Sequence, residues 1–161
     1  MPLIEPGRKA PAFTLTDAEG NRHALKDYLG APVVVYFYPK DDTSSCTKEA
    51  CQFRDLLPKF EKLGVAVLGI SPDDEASHAK FAAKHDLNFT LLADTARDKD
   101  GNPKVCDKYG VWGEKSMYGN TYMGVIRTTY LIDAKGKVAR RWDKVKVTKH
   151  AEAVLKAVGE L

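Results

Sequence analysis

Two uninterrupted apolar runs, Val33–Tyr38 and Val65–Ile70, restrict the fold of this chain more than any other feature. A strand with one wet face alternates apolar and polar residues, and these runs do not alternate, so each is expected to be covered on both faces. Between them, residues 44–63 are rich in good helix formers. Strand, helix and strand in that order make a βαβ unit, which joins parallel neighbours in an α/β sheet. Phe53, Leu56, Leu57 and Phe60 place an apolar stripe on the helix, and Pro58 is expected to kink or loosen its last turns.

The remaining elements gather around this unit. Phe13–Thr16 and Arg22–Leu25 flank the turn Asp17–Gly20 and read as a hairpin. Ser71–Glu75 opens a helix that reaches about His85, followed by a short strand, Thr90–Ala93, and an exposed charged loop, Asp94–Pro103. Lys104–Tyr109 reads as a short helix carrying Cys106. From Val111 to Gly124, Trp112, Tyr118 and Tyr122 are interleaved with glycines, which suits either a pocket or contact surface or a hairpin packed on the sheet. Thr128–Ile132 and Lys137–Trp142 form a second hairpin, and Thr148 is placed to cap a final helix with Ala151, Val154, Leu155 and Val158 on one side. With 161 residues the chain has material for one core and not two, so a single domain over residues 1–161 is expected.

Charge and cysteine content exclude several classes of function. Residues 135–149 carry seven Lys or Arg against one Asp in a chain whose net charge is only +3. They alternate with Val138, Trp142, Val145 and Val147 as on a solvated edge strand, so no nucleic-acid partner is expected. No run approaches the ~18 apolar residues of a membrane span, and the first residues lack the basic and apolar regions of a signal peptide. A cytoplasmic chain with no membrane contact is expected. In such a compartment a few cysteines are catalytic or metal-bound rather than a disulfide framework. His23, His78, His85 and His150 are scattered, and no set of four ligands is evident, so no metal is expected.

Cys46 stands where the first apolar run hands over to the helix. In open α/β sheets ligands collect in the crevice beyond the carboxyl ends of the strands. The first turn of a helix also carries unpaired N–H groups and a partial positive charge that favours an anion. Cys46 is therefore expected to be a nucleophile rather than a packed thiol. Thr43 can serve as the helix N-cap or offer its hydroxyl to whatever the sulfur attacks, and Pro39 ends the strand and shields one side of the pocket.

Pro39, Thr43 and Cys46 together match the P-x-x-x-T-x-x-C signature of the peroxiredoxins, which the chain resembles. Cys51, five positions on, and the segment Gly113–Asp133 are similar to the bacterioferritin comigratory protein branch, also called peroxiredoxin Q. The similarity runs from about Pro6 to the C-terminus. It implies a thioredoxin-like α/β fold, with a central mixed β-sheet flanked by helices and an N-terminal β-hairpin extension. It also implies a peroxidase that reduces hydrogen peroxide and organic hydroperoxides without metal, flavin or haem. Arg127 is placed beside Cys46 by the resemblance, and a guanidinium there would favour the ionised sulfur and donate to both peroxide oxygens. Thr43 would hydrogen-bond the peroxide.

Oxidation of Cys46 to a sulfenic acid calls for a second thiol, and Cys51 is the candidate, with thioredoxin or a similar dithiol restoring both. Other members carry a resolving cysteine in the helix that here spans Glu75–His85, where this chain has none. In a regular helix two residues five apart have Cα atoms about 8.7 Å apart. Disulfides rarely close beyond ~7 Å, so residues 44–53 are expected to unwind for the bond to form. Ser44 and Ser45 depart from the Pro-Gly common in the family, which alters the room beside the sulfur. Cys106 reads as a small buried hydrophobe or as an auxiliary thiol. A monomer is implied. Two competing readings are a disulfide oxidoreductase, which would use C-x-x-C rather than the C-x-x-x-x-C present, and a redox-responsive binding or chaperone module.

Overall fold

In the computed structural model, which describes residues 1–161, both apolar runs are buried strands of one seven-stranded sheet. The strands in chain order are β1 (Thr14–Asp17), β2 (Arg22–Ala24), β3 (Val33–Phe37), β4 (Ala66–Ser71) and β5 (Thr90–Ala93). After them come β6 (Trp112–Met117), β7 (Asn120–Val125), β8 (Thr128–Ile132) and β9 (Val138–Trp142). The helices are α1 (Ser44–Lys62), α2 (Glu75–His85), α3 (Lys104–Lys108) and α4 (His150–Gly159). The sheet runs β2-β1-β5-β4-β3-β8-β9, with β3 parallel to β4 and β4 parallel to β5. Its remaining pairs are antiparallel, so the sheet is mixed. The N-terminal hairpin joins it through β1, which pairs with β5 and makes β2 one edge.

The two-residue period of β3 divides the core. Val33, Val35 and Phe37 face a layer closed by Val105 and Cys106 of α3, with Tyr109 and Phe13. Val34, Tyr36 and Tyr38 face the other layer, where α1 lays down Ala50, Phe53, Leu57 and Phe60. Phe81 of α2 and Val154 of α4 complete it. Phe53 is fully buried and stacks on Tyr36 with ring centroids 4.7 Å apart. Burial of a side chain of that size contributes about 1.5–3 kcal/mol. Through Phe53, Leu57 and Phe60 the layer anchors the middle and end of α1.

Two local expectations need correction, at Thr148 and at Asp94. Helix α1 runs through Pro58 to Lys62. Proline cannot donate to the carbonyl of Arg54 one turn back, and Asn88 Nδ2 supplies that donor from outside the helix at 3.2 Å. Thr148 does not cap α4: the cap position is Lys149, left-handed at φ 56°, with no side-chain cap bond. Asp94 belongs to the buried interior rather than to an exposed loop, because its carboxylate accepts from the backbone N–H of Val105 and Cys106 and so caps α3.

The aromatic and glycine segment, which suited either a contact surface or a packed hairpin, is a separate two-stranded ribbon, β6–β7, set off from the seven-stranded sheet. Tyr118 and Gly119 both take positive φ, 52° and 81°, the twist that a two-residue hairpin turn requires. Tyr118 is 97% exposed at the tip, and Met117, Tyr122 and Met123 are exposed behind it. Only the base of the ribbon, Trp112 and Val125, packs on the core. The basic segment does lie along an edge strand: β9 ends the sheet, and the Arg140 guanidinium sits 4.9 Å from the centre of the Trp142 ring. No helix is long and apolar enough to cross a membrane.

Candidate active site

Chain leaving β3 passes Tyr38 and Pro39, turns at Asp42 and enters α1 at Ser44. Two pairs of contacts hold this connection to α2. The Asp41 carboxylate accepts from Tyr38 Oη at 2.6 Å and from Ser77 Oγ at 2.7 Å, and it lies 2.6 Å from Nδ1 of the buried His78. The other ring nitrogen of His78 meets the carbonyl of Leu92 at 3.0 Å. Asp42, with φ 59°, reaches Lys84 Nζ at 2.7 Å and His85 Nε2 at 3.0 Å. Asp41, Asp73 and His78 have ligand atoms within 4.8 Å of one another, and hydrogen bonds account for their convergence: the Asp41 N–H and Ser71 Oγ both donate to Asp73.

Thr43 occupies the N-cap position, and its carbonyl accepts the first helical bond, from the Thr47 N–H at 2.8 Å. Its hydroxyl makes no cap bond and donates instead to the Lys40 carbonyl at 2.9 Å. The exposed hydroxyl oxygen is thereby left as an acceptor, suited to a donor O–H arriving from outside. Cys46 is the third residue of α1 and its side chain is buried, with the helix's unpaired first-turn N–H groups around it. Pro39 is half-buried in the connection that precedes it.

Arg127 comes from the short link between β7 and β8. Because β8 lies beside β3 in the sheet, that link falls next to the start of α1. The guanidinium forks: Nη2 donates to Cys46 Sγ at 3.2 Å and Nη1 donates to Glu49 Oε1 at 2.7 Å. Burial works against the charge of Arg127, but Glu49 and Cys46 outweigh it and hold the group above the ordinary arginine range. The guanidinium thus stays charged and fixed in direction by two acceptors.

Glu49 is the residue that sequence reasoning missed. It lies three residues from Cys46 on the buried face of α1, where an acid is costly without a partner. That position on an otherwise apolar stripe is the available signal, although nothing in the linear pattern names Arg127 as the partner. Burial, opposed by Arg127, raises the Glu49 carboxyl to about 7. Oε2 of Glu49 has no hydrogen-bond partner and lies 3.9 Å from Nε2 of His150, which is itself 2.8 Å from Thr129 Oγ1. Burial, with the Arg127 charge second, pulls His150 down to about 4.

These two shifts act on stability in opposite directions. A folded-state carboxyl raised to about 7 binds its proton where the unfolded chain has released it, so its contribution is present below the ordinary value of 4.5 and is lost as pH rises to about 7. A histidine lowered to about 4 contributes above its ordinary 6.5 and loses that contribution as pH falls towards 4. Between about pH 4.5 and 6.5 the two slopes oppose each other. Removing the histidine uncovers the other. The unfolding free energy of the wild type minus that of His150→Asn is expected to rise by about 1.4 kcal/mol per pH unit from pH 4.5 to 6. Urea titrations at three pH values measure this, and a constant difference would contradict it.

All three cysteines are free. Cys51 is half-buried in the second turn of α1, and the helix is unbroken between it and Cys46. Cys106 is buried in the opposite core layer, where burial and then Asp94 push its thiol well above the ordinary range. It behaves as a small core residue in this arrangement.

The sequence and fold that carry this site are similar to those of several known proteins. Residues 6–141 match the AhpC/TSA family. Peroxiredoxin Bcp of Escherichia coli is 44% identical over 155 residues, covering 96% of each chain, and peroxiredoxin Bcp of Bacillus subtilis is 41% identical over 158 residues, 98% of this chain and 97% of that one. Among solved structures, a cysteine mutant of Xanthomonas campestris peroxiredoxin Q superposes with a TM-score of 0.86 at 38% identity, over 98% of this chain and 99% of its own. A second structure, of the Xanthomonas campestris bacterioferritin comigratory protein, was determined for its alkyl peroxide reduction and superposes at 0.85 with 38% identity, over 97% and 98% of the two chains. The fold is accordingly that of the thioredoxin-like peroxiredoxins, and the chain belongs to the AhpC/TSA family, in its Bcp and peroxiredoxin Q branch.

Proposed function

We propose that Cys46 is the thiol this peroxidase presents to hydroperoxides, and that Cys51 resolves the product. The Cys46 thiolate attacks the outer oxygen of ROOH and the O–O bond breaks. The sulfur becomes a sulfenic acid, and the departing RO⁻ takes up a proton and leaves as ROH. Arg127 faces both sulfur and peroxide, so it stabilises the ionised nucleophile and then the charge that grows on the leaving oxygen. Thr43, whose own proton is committed to Lys40, accepts from the peroxide O–H and orients it. The Cys51 thiol then displaces hydroxide from the sulfenic sulfur, forming a Cys46–Cys51 disulfide and water. A dithiol donor returns both thiols by exchange and is itself oxidised to a disulfide.

The observation that carries this reading is the 3.2 Å contact from Arg127 to the Cys46 sulfur, made by a guanidinium that Glu49 holds in place. Thioredoxin is the proposed donor. The proposed working form is a cytoplasmic monomer, one domain over residues 1–161. Mass spectrometry after one equivalent of peroxide tests the thiol roles. The wild type should give a linked Cys46–Cys51 peptide, and Cys51→Ser should give a sulfenic acid at Cys46 or a link to Cys106. Wild-type turnover without the first linkage would refute the role of Cys51.

The intact first turns of α1 add a second expectation. Because the two cysteines belong to one continuous helix, closing the disulfide requires those turns to open. Amide hydrogens of residues 44–55 should exchange at least tenfold faster in the oxidised protein than in the reduced one. Equal protection in the two states would exclude the rearrangement.

A further inference from the structure

The β6–β7 ribbon brings a second cation to the active site. Direct cross-strand neighbours share a face of an antiparallel pair, so Gly113 and Gly124, Lys115 and Tyr122, and Met117 and Asn120 lie on one side. Along that side, Lys115 bends back across Gly124. A Cβ at Gly124 would stand 3.2 Å from Lys115 Cδ, so the bare glycine is what lets the side chain lie there. Nζ of Lys115 donates to the carbonyl of Val125 at 2.9 Å, two residues before Arg127, and lies 6.0 Å from the Tyr122 ring centre. Its charge is felt at the site: burial and then Arg127 lower the ammonium, while Cys46 opposes them.

This cation has no anion of its own. None of the ion pairs of the chain includes Lys115, whereas Arg127 has Glu49. A lysine ammonium has three donors, and the Val125 carbonyl takes one. A half-buried ammonium tied to the Val125 carbonyl, two residues from Arg127, costs free energy, and an incoming carboxylate would recover it. Exposed Met117 and Tyr122 on the same side offer apolar surface to the rest of an organic molecule.

We propose that Lys115 is a specificity-determining residue, whose ammonium receives the acidic group of an anionic organic hydroperoxide while Arg127 and Thr43 hold its peroxide end. The inference rests on the peroxidase reading above and adds the substrate class. The carboxylate contact is made equally before and during O–O cleavage, so it lowers KM more than it changes kcat.

Cumene hydroperoxide and its para-carboxylate analogue make the test, since they differ only in the charge. In the wild type the ratio of kcat/KM for the acid to that for the neutral compound should exceed one and fall as salt is raised from 20 to 300 mM. Lys115→Met should lower that ratio by about fivefold to tenfold, chiefly through KM, and Lys115→Arg should keep it. The salt series needs no variant, so the proposal stays testable even if Lys115→Met folds poorly. A wild-type ratio of one or below, a ratio indifferent to salt, or an unchanged ratio in Lys115→Met overturns the role of Lys115 and leaves the peroxidase reading standing. Absence of turnover with both compounds overturns the two together.

Discussion

Serine in place of Cys46 is expected to abolish peroxide turnover, with a loss of at least about a thousandfold. The exchange is nearly isosteric in a buried position that packs beside Ala50 and Phe53, so the fold should persist and the loss be chemical. A hydroxyl is much less acidic than a thiol, and oxygen lacks the polarisable lone pair that sulfur presents to a weak O–O bond. Arg127 cannot compensate, because it stabilises an anion that serine does not form at physiological pH. Peroxide consumption with a dithiol donor measures the effect, and circular dichroism confirms folding. Retained turnover would move the chemistry to another sulfur and remove the basis of the site described here.

Arg127→Met should lower kcat/KM for hydrogen peroxide by about 10²–10³, the usual cost of deleting a donor aimed at developing negative charge. The effect on stability should be much smaller. Glu49 loses its partner, but burial already raises its carboxyl to about 7 with Arg127 opposing, so without Arg127 it takes up a proton rather than remaining as a buried charge. The residual cost is that of a poorly satisfied neutral carboxyl, about 1–3 kcal/mol. The two effects can be separated with Glu49→Leu added to Arg127→Met, which should recover stability in urea and recover none of the rate. A double variant that regained activity would show that Arg127 acts on the fold and not on the peroxide.

How much of this could be read from the chain follows from the physics of each feature. Strands β3 and β4 were legible because burial on both faces removes polar residues from every position, which leaves a mark in a short window. The strand-to-helix corner at Cys46 was legible for the same reason. Arg127 was placed only through the family resemblance, since its nearness depends on β8 entering the sheet beside β3, 81 residues away from Cys46. Glu49 was passed over because glutamate is an ordinary helix residue, and its burial depends on an arginine from one element and a histidine from another. Thr148 misled because threonine is a favoured cap, whereas the chain enters α4 through a left-handed Lys149. The ribbon was ambiguous since aromatic residues suit burial and exposure for different reasons; the turn at Tyr118 and Gly119 carries it clear of the sheet.

The attachment of Asp41 and Asp42 to α2 bears on how oxidation can deform the molecule. If the proposed Cys46–Cys51 disulfide opens the helix near its beginning, loss of the upstream anchorage as well would let Cys46 drift from Arg127. The upstream side is bolted to a neighbouring element, so under that proposal the opening would be channelled downstream towards Cys51. Reduction of the proposed disulfide would then leave the segment a stationary seat from which to rewind, so that each cycle would start from the same geometry.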